Sequence, residues 1–184
     1  CIDSKLYFDA TVGLHKLSPS PESAYLIGKM LLLEEKYNEA VPYLEEAIKM
    51  QNEDRAYMAL IFLAEDYFSL NKYEKARAVA LKAAKLKPTA GKPYIIIGDM
   101  YASSADNCGD DELTKKVAYW AAVDKYKKAS SVEPDLAESM SKRIGRYQKY
   151  FPPTELLFFH NLNEGDSYTV GCWINEVTKV RPAK

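Results

Sequence analysis

"AYLIGKMLLLEEKYNEAVPYLEEAIKMQN" (24–52) can be laid over "LIFLAEDYFSLNKYEKARAVALKAAKLKP" (60–88), and small, apolar and aromatic residues then recur in the same order. The matched positions are Ala24, Ile27, Gly28, Leu31, Tyr37, Ala40, Leu44 and Ala47 in the first copy. In the second they are Leu60, Leu63, Ala64, Tyr67, Tyr73, Ala76, Ala80 and Ala83, closed by Pro88. In each copy the apolar spacing is that of two amphipathic helices joined by a short polar turn. Gly28, Ala64 and the alanines of each second helix sit where paired helices approach closely, because a large side chain there would force them apart. Tyr37 and Tyr73 follow the turn and fill the space between the two helices.

A third copy starts cleanly at "YIIIGDMY", with Tyr94, Ile97, Gly98 and Tyr101, and resumes with Tyr119, Ala122, Tyr126, Ala129 and Pro134. The slots resemble the tetratricopeptide repeat (TPR), a helix–turn–helix unit of about 34 residues. Ala64 to Gly98 spans 34 residues and Ala47 to Ala83 spans 36, the extra two falling in the polar "MQNED" connection. Ala83 to Ala129 spans 46, so "SSADNCGDDELT" (103–114) is an insertion between the helices of one repeat. The expected architecture is an all-α TPR solenoid over 1–150 with a small antiparallel β-hairpin element over 151–184. The array comprises a half-repeat at 1–19, repeats at about 21–54, 57–90 and 91–134, and a cap helix at 135–150 that Phe151, Pro152 and Pro153 end. Beyond the prolines "LLFFHNL", "SYTVGCW" and "EVTKVRP" read as short strands, separated by "NEGD" and "IN". Trp173 is placed on one of them, and Lys179 and Arg181 form a basic, solvated strand face.

Composition narrows the function. Twenty-five Lys and Arg against 26 Asp and Glu give a formal charge of −1, so no basic field exists to hold a nucleic acid. No apolar run is long enough to cross a bilayer. Three scattered cysteines without a C-x-x-C, and two isolated histidines, His15 and His160, exclude a zinc module. The expectation is a chain without cofactor, metal or catalytic residue. Because the chain starts at Cys1 and not at Met, and its first half-repeat lacks a partner helix, a longer chain with upstream repeats is expected; a lipoprotein cysteine at Cys1 is the alternative.

Three further stretches, "NCGDDELTKK", "AYWAAVDKYKKA" and "FFHNLNEGDSYTVGCWINEVTKVR", together resemble a group of exported TPR proteins of Bacteroidetes over residues 20–181. That resemblance implies a signal peptide in the full-length protein and an extracytoplasmic location, in the periplasm or cell envelope. It implies no reaction.

The acidic insertion lacks the ligand spacing of a calcium loop, and Asp110 to Glu112 suit the positive end of the following helix. Two readings of Cys108 stand: a disulfide with Cys172, which an oxidising compartment permits, and a free thiol. The leading candidate site is the concave face made by the first helix of each repeat. Helical spacing assigns to it Tyr25, Lys29 and Leu32, then Ile61, Glu65 and Phe68, then Ile95 and Asp99. Tyr25, Ile61 and Ile95 stand where the TPR carboxylate clamp needs Asn and basic residues, so a protein or peptide held by apolar anchors is expected. The chain then reads as a non-catalytic scaffold or adaptor. The alternative is an accessory module of a larger enzyme or envelope assembly, with a thiol or ligand site near Cys108, His160 and Cys172.

Overall fold

The structure is a computed structural model that describes residues 4–183; Cys1 lies outside the described residues. Two compact units part between Lys87 and Pro88, within the repeat array.

The first unit is helical: α1 (Ser4–Leu17), α2 (Pro21–Leu33), α3 (Tyr37–Ala47), α4 (Glu53–Ser69) and α5 (Tyr73–Leu86). Local sequence sets the boundaries. The Ser20 side chain accepts from the Ser23 amide at 3.2 Å, with Pro21 in the first turn, and Asn52 accepts from the Arg55 amide at 2.9 Å. Each such cap contributes about 1 kcal/mol. Between α2 and α3 the chain turns at Glu35, and between α4 and α5 at Asn71, both with φ near the left-handed region (57° and 56°). The paired helices meet at their small residues. A Cβ placed on Gly28 would stand 2.8 Å from the Leu44 side chain. Ala24, Ala47, Met50, Ala56 and Ala59 form a buried cluster that Tyr25, Tyr43 and Ile48 flank. His15 is half-buried: its Nδ1 lies 2.7 Å from the Ser23 hydroxyl, and its ring packs edge-on to Tyr43.

The second unit comprises α6 (Lys92–Ser103), a 3-10 turn at Ala105–Asn107, α7 (Glu112–Val132), α8 (Ala137–Gln148), α9 (Thr154–Phe159) and the strands β1 (Ser167–Val170) and β2 (Glu176–Lys179). The insertion lies between α6 and α7, and part of it lengthens a helix: α7 has 21 residues where α3 has 11 and α5 has 14. Asp111 caps α7 by accepting from the Thr114 amide at 2.8 Å, and that bond holds its carboxyl below the usual carboxylate range. Across the α6–α7 pair, a Cβ on Gly98 would stand 2.5 Å from the Tyr126 ring.

The C-terminal extension departs from the expected strands in two places. Residues 154–159 of the "LLFFHNL" region form the short helix α9, started by the extended Pro153, and not a strand. Four consecutive apolar residues carry no alternation, so the proline-led turn decides their conformation. Leu157 is buried, whereas Phe158 and Phe159 are exposed. Trp173 is likewise not on a strand but in the turn joining β1 to β2, where Cys172 (φ 52°) and Asn175 (φ 42°) reverse the chain. The strands pair antiparallel, Ser167 opposite Lys179 and Val170 opposite Glu176.

This two-stranded sheet would be marginal alone, and α7 supports it. Trp120, fully buried, donates to the Arg181 carbonyl at 2.7 Å and meets Phe151 and Tyr168 edge-on. Arg181 is therefore not part of a solvated basic face: its guanidinium pairs with Asp124 at 2.8 Å and donates to the Trp120 carbonyl. Lys179 does remain exposed.

Candidate functional site

On the first unit, α2 and α4 border an open cavity of about 310 Å³ lined by Lys29, Leu32, Leu33, Tyr37, Phe62, Glu65 and Ser69. Leu33, 77% exposed, provides the apolar edge, and Lys29 has no ion-pair partner among the described residues. One cation, one carboxylate and four apolar or aromatic side chains converge here, the mixture that orients an extended chain while burying its apolar residues.

Of the expected groove residues, Lys29, Leu32 and Glu65 line this cavity. Tyr25 lies one turn earlier on α2, its ring 5.9 Å from that of Phe62. Phe68 is half-buried against Tyr73, with ring centroids 6.1 Å apart. Ile61 is a correction: it is 3% exposed and has no surface to offer a ligand. Its helix is buried around most of its circumference, so an apolar residue beside the core stripe is itself enclosed. The face of α4 that meets the cavity is instead Phe62, Glu65 and Ser69, at i, i+3 and i+7. Spacing alone was able to place this face only to within one residue.

Asp66 was not singled out by sequence. Its side chain is wholly buried and neither carboxylate oxygen has a hydrogen-bond partner among the described residues. Burial pushes its carboxyl up to about 7, against the opposing pull of the Lys72 cation. The one available signal was an acid directly before the repeat-slot residue Tyr67, inside a stretch otherwise apolar on that side. The neighbouring Tyr67 hydroxyl donates to Glu45 at 2.5 Å.

Ile95 and Asp99 belong to the second unit. Asp99 is already engaged: Tyr126 donates to it at 2.7 Å, and Arg143 forms an ion pair with it. Ile95 lines a separate cleft between α6 and α8. Cys108 and Cys172 are joined by a disulfide with Cα atoms 5.1 Å apart, which ties the insertion to the β1–β2 turn. Trp173 beside it donates to the Ser104 hydroxyl at 3.0 Å and packs edge-on to Tyr101. With both sulfurs bonded no thiol exists at this junction, and His160 nearby is exposed.

Repeated helix pairs with glycine or alanine at their crossings, reversed by left-handed turns and followed by a small antiparallel sheet, define a helical-repeat protein of TPR type. Residues 6–83 match the model of the family anaphase-promoting complex, cyclosome, subunit 3, a TPR-like repeat family. The match runs from α1 into α5. No curated protein matches the chain. Among the described residues, no helix is long and apolar enough to cross a membrane.

Proposed function

We propose that this chain is a non-catalytic protein-interaction module that holds a peptide segment of a partner across the α2–α4 face. The observation that carries the reading is the open cavity of about 310 Å³ with an apolar floor and an unpaired Lys29 at its edge. The match of residues 6–83 to a TPR-like repeat family supports the same class of function. Leu32 and Phe62 act as apolar anchors, with Tyr25 and Phe68 extending the surface at either end, while Lys29 and Glu65 orient the bound chain by its polar groups. The Cys108–Cys172 disulfide supports an extracytoplasmic location, because such bonds persist where the environment is oxidising.

Selection of peptides from a displayed library tests the reading. Peptides enriched on the parent should lose binding to a Leu32→Glu/Phe62→Ala variant and keep it on a Leu81→Glu control, whose substitution lies on the exposed side of α5. Equal binding to all three proteins removes the groove from the account.

A further inference from the structure

The second unit carries a cleft of about 440 Å³ whose chemistry differs from that of the α2–α4 groove. Lys92 and Ile95 of α6 form one wall, and Ser139, Met140, Lys142, Arg143 and Arg146 of α8 form the other. Four cations converge on it and no carboxylate lines it. This is a local departure from a chain whose formal charge is −1.

The cations differ in how they are held. Arg143 is fixed from beneath: it pairs with Asp99, which also accepts from the Tyr126 hydroxyl at 2.7 Å, and its guanidinium lies 5.3 Å from the centre of the Tyr126 ring. Lys142 pairs with Glu138 at 2.5 Å along the exposed side of α8, with both side chains more than three-quarters exposed. Arg146 has no ion-pair partner among the described residues. Arg146 thus brings to the cleft a guanidinium that no carboxylate of the described residues neutralises, and the Lys142–Glu138 pair, exposed on both sides, is weakly held. Guanidinium groups recognise carboxylates through paired N–H donors, and their charge is not lost at any physiological pH. Between the cations, the buried Met140 and half-buried Ile95 form a small apolar floor.

We propose that this cleft binds an acidic peptide segment through its Glu or Asp side chains, with an intervening apolar residue seated on Ile95 and Met140. Arg146 and Lys142 receive the carboxylates, and Arg143 is the preorganised cation held by Asp99 and Tyr126. A nucleic acid fits less well, because it needs a basic track and the positive charge here is confined to one cleft with an apolar floor. The inference concerns a surface separate from the α2–α4 groove, although it shares with the proposed function the premise that the chain binds peptides.

Fluorescence anisotropy of a labelled peptide alternating Glu and Leu, blocked at both ends so that only side-chain carboxylates are present, tests it. Measured throughout in the Leu32→Glu background, where the first unit's groove is disabled, the expected result is saturable binding that weakens with salt and drops on the order of tenfold or more when Lys142→Glu/Arg146→Glu is added. Circular dichroism of the double variant should match that of the parent, since both side chains are on the surface. Binding of the Gln–Leu counterpart equal to that of the Glu–Leu peptide overturns the proposal, as does binding that survives the double reversal. Displacement by oligothymidine at lower concentration than by unlabelled peptide overturns it in favour of nucleic acid, and displacement by millimolar inorganic phosphate alone reduces it to anion capture. Because the first unit's groove is disabled in every protein compared, failure of this reading is seen without failure of the other.

Discussion

Asp66→Asn isolates the cost of burying a charge in α4. In the folded chain burial raises the Asp66 carboxyl from 3.8 to about 7, with Lys72 opposing. The difference is about three units, which at ~1.36 kcal/mol each makes roughly 4 kcal/mol between the protonated and ionised forms. The sign follows from proton counts: between the two values the folded state keeps a proton that the unfolded chain has released, so stability falls as pH rises. The contribution is fully present below 3.8 and gone once the pH has passed through about 7. Between pH 5 and pH 8 the linkage relation assigns it a loss of about 2 to 3 kcal/mol. Asn is uncharged throughout, so the variant lacks this decline. Two other shifts stay out of the window: burial and the Glu45 bond raise Tyr67 to about 12, and the Thr114 amide holds Asp111 low. Urea unfolding followed by far-UV circular dichroism, without reductant, should show Asp66→Asn gaining on the parent by about 2 to 3 kcal/mol from pH 5 to pH 8. Parallel pH profiles for the two proteins would refute the assignment of a buried, unpartnered carboxylate.

Two further predictions concern the packing. Gly98→Ala puts a methyl group 2.5 Å from the Tyr126 ring and should cost about 1 to 3 kcal/mol, whereas Gly145→Ala on α8 meets nothing within 4 Å and should gain about 0.5 to 1 kcal/mol; thermal melts of the two variants check both signs. Cys108→Ser removes a cross-link between residues 64 apart and should lower stability by about 4 kcal/mol on the chain-entropy relation, an effect that reductant reproduces in the parent but not in the variant.

The repeat units were legible because their signal is redundant: small residues at the crossings, aromatic plugs after the turns and a recurring spacing all point to the same helix pairs. Gly28 against Leu44 and Gly98 against Tyr126 are the close approaches that this pattern encodes. The insertion was legible as an offset in that spacing, and Asp111 as an acid before a helix. What could not be read depends mostly on long-range contacts, with α9 the exception. Four apolar residues after Pro153 fit a strand or a helix equally well, and the local turn selects the helix. Arg181 looked like a solvated basic residue until folding placed it beside Asp124 and the Trp120 carbonyl. Asp66 was hidden for a different reason, since an acid on a long helix normally faces water and only the neighbouring elements determine that this one does not. Of the expected face, Lys29, Leu32 and Glu65 line the α2–α4 cavity, whereas Ile61 is enclosed while Phe62 lines it, and Ile95 lines a separate cleft. The basic cleft on α6 and α8 needed the cap helix and the third repeat placed side by side before its cations converged.

The measurement that bears most directly on the account is the binding of library-selected peptides to the parent and to Leu32→Glu/Phe62→Ala, with Leu81→Glu as control. The account predicts enriched peptides bearing apolar anchors whose affinity falls about tenfold or more only in the double variant. A selection that enriches nothing, or peptides that bind the double variant as they bind the parent, would contradict it.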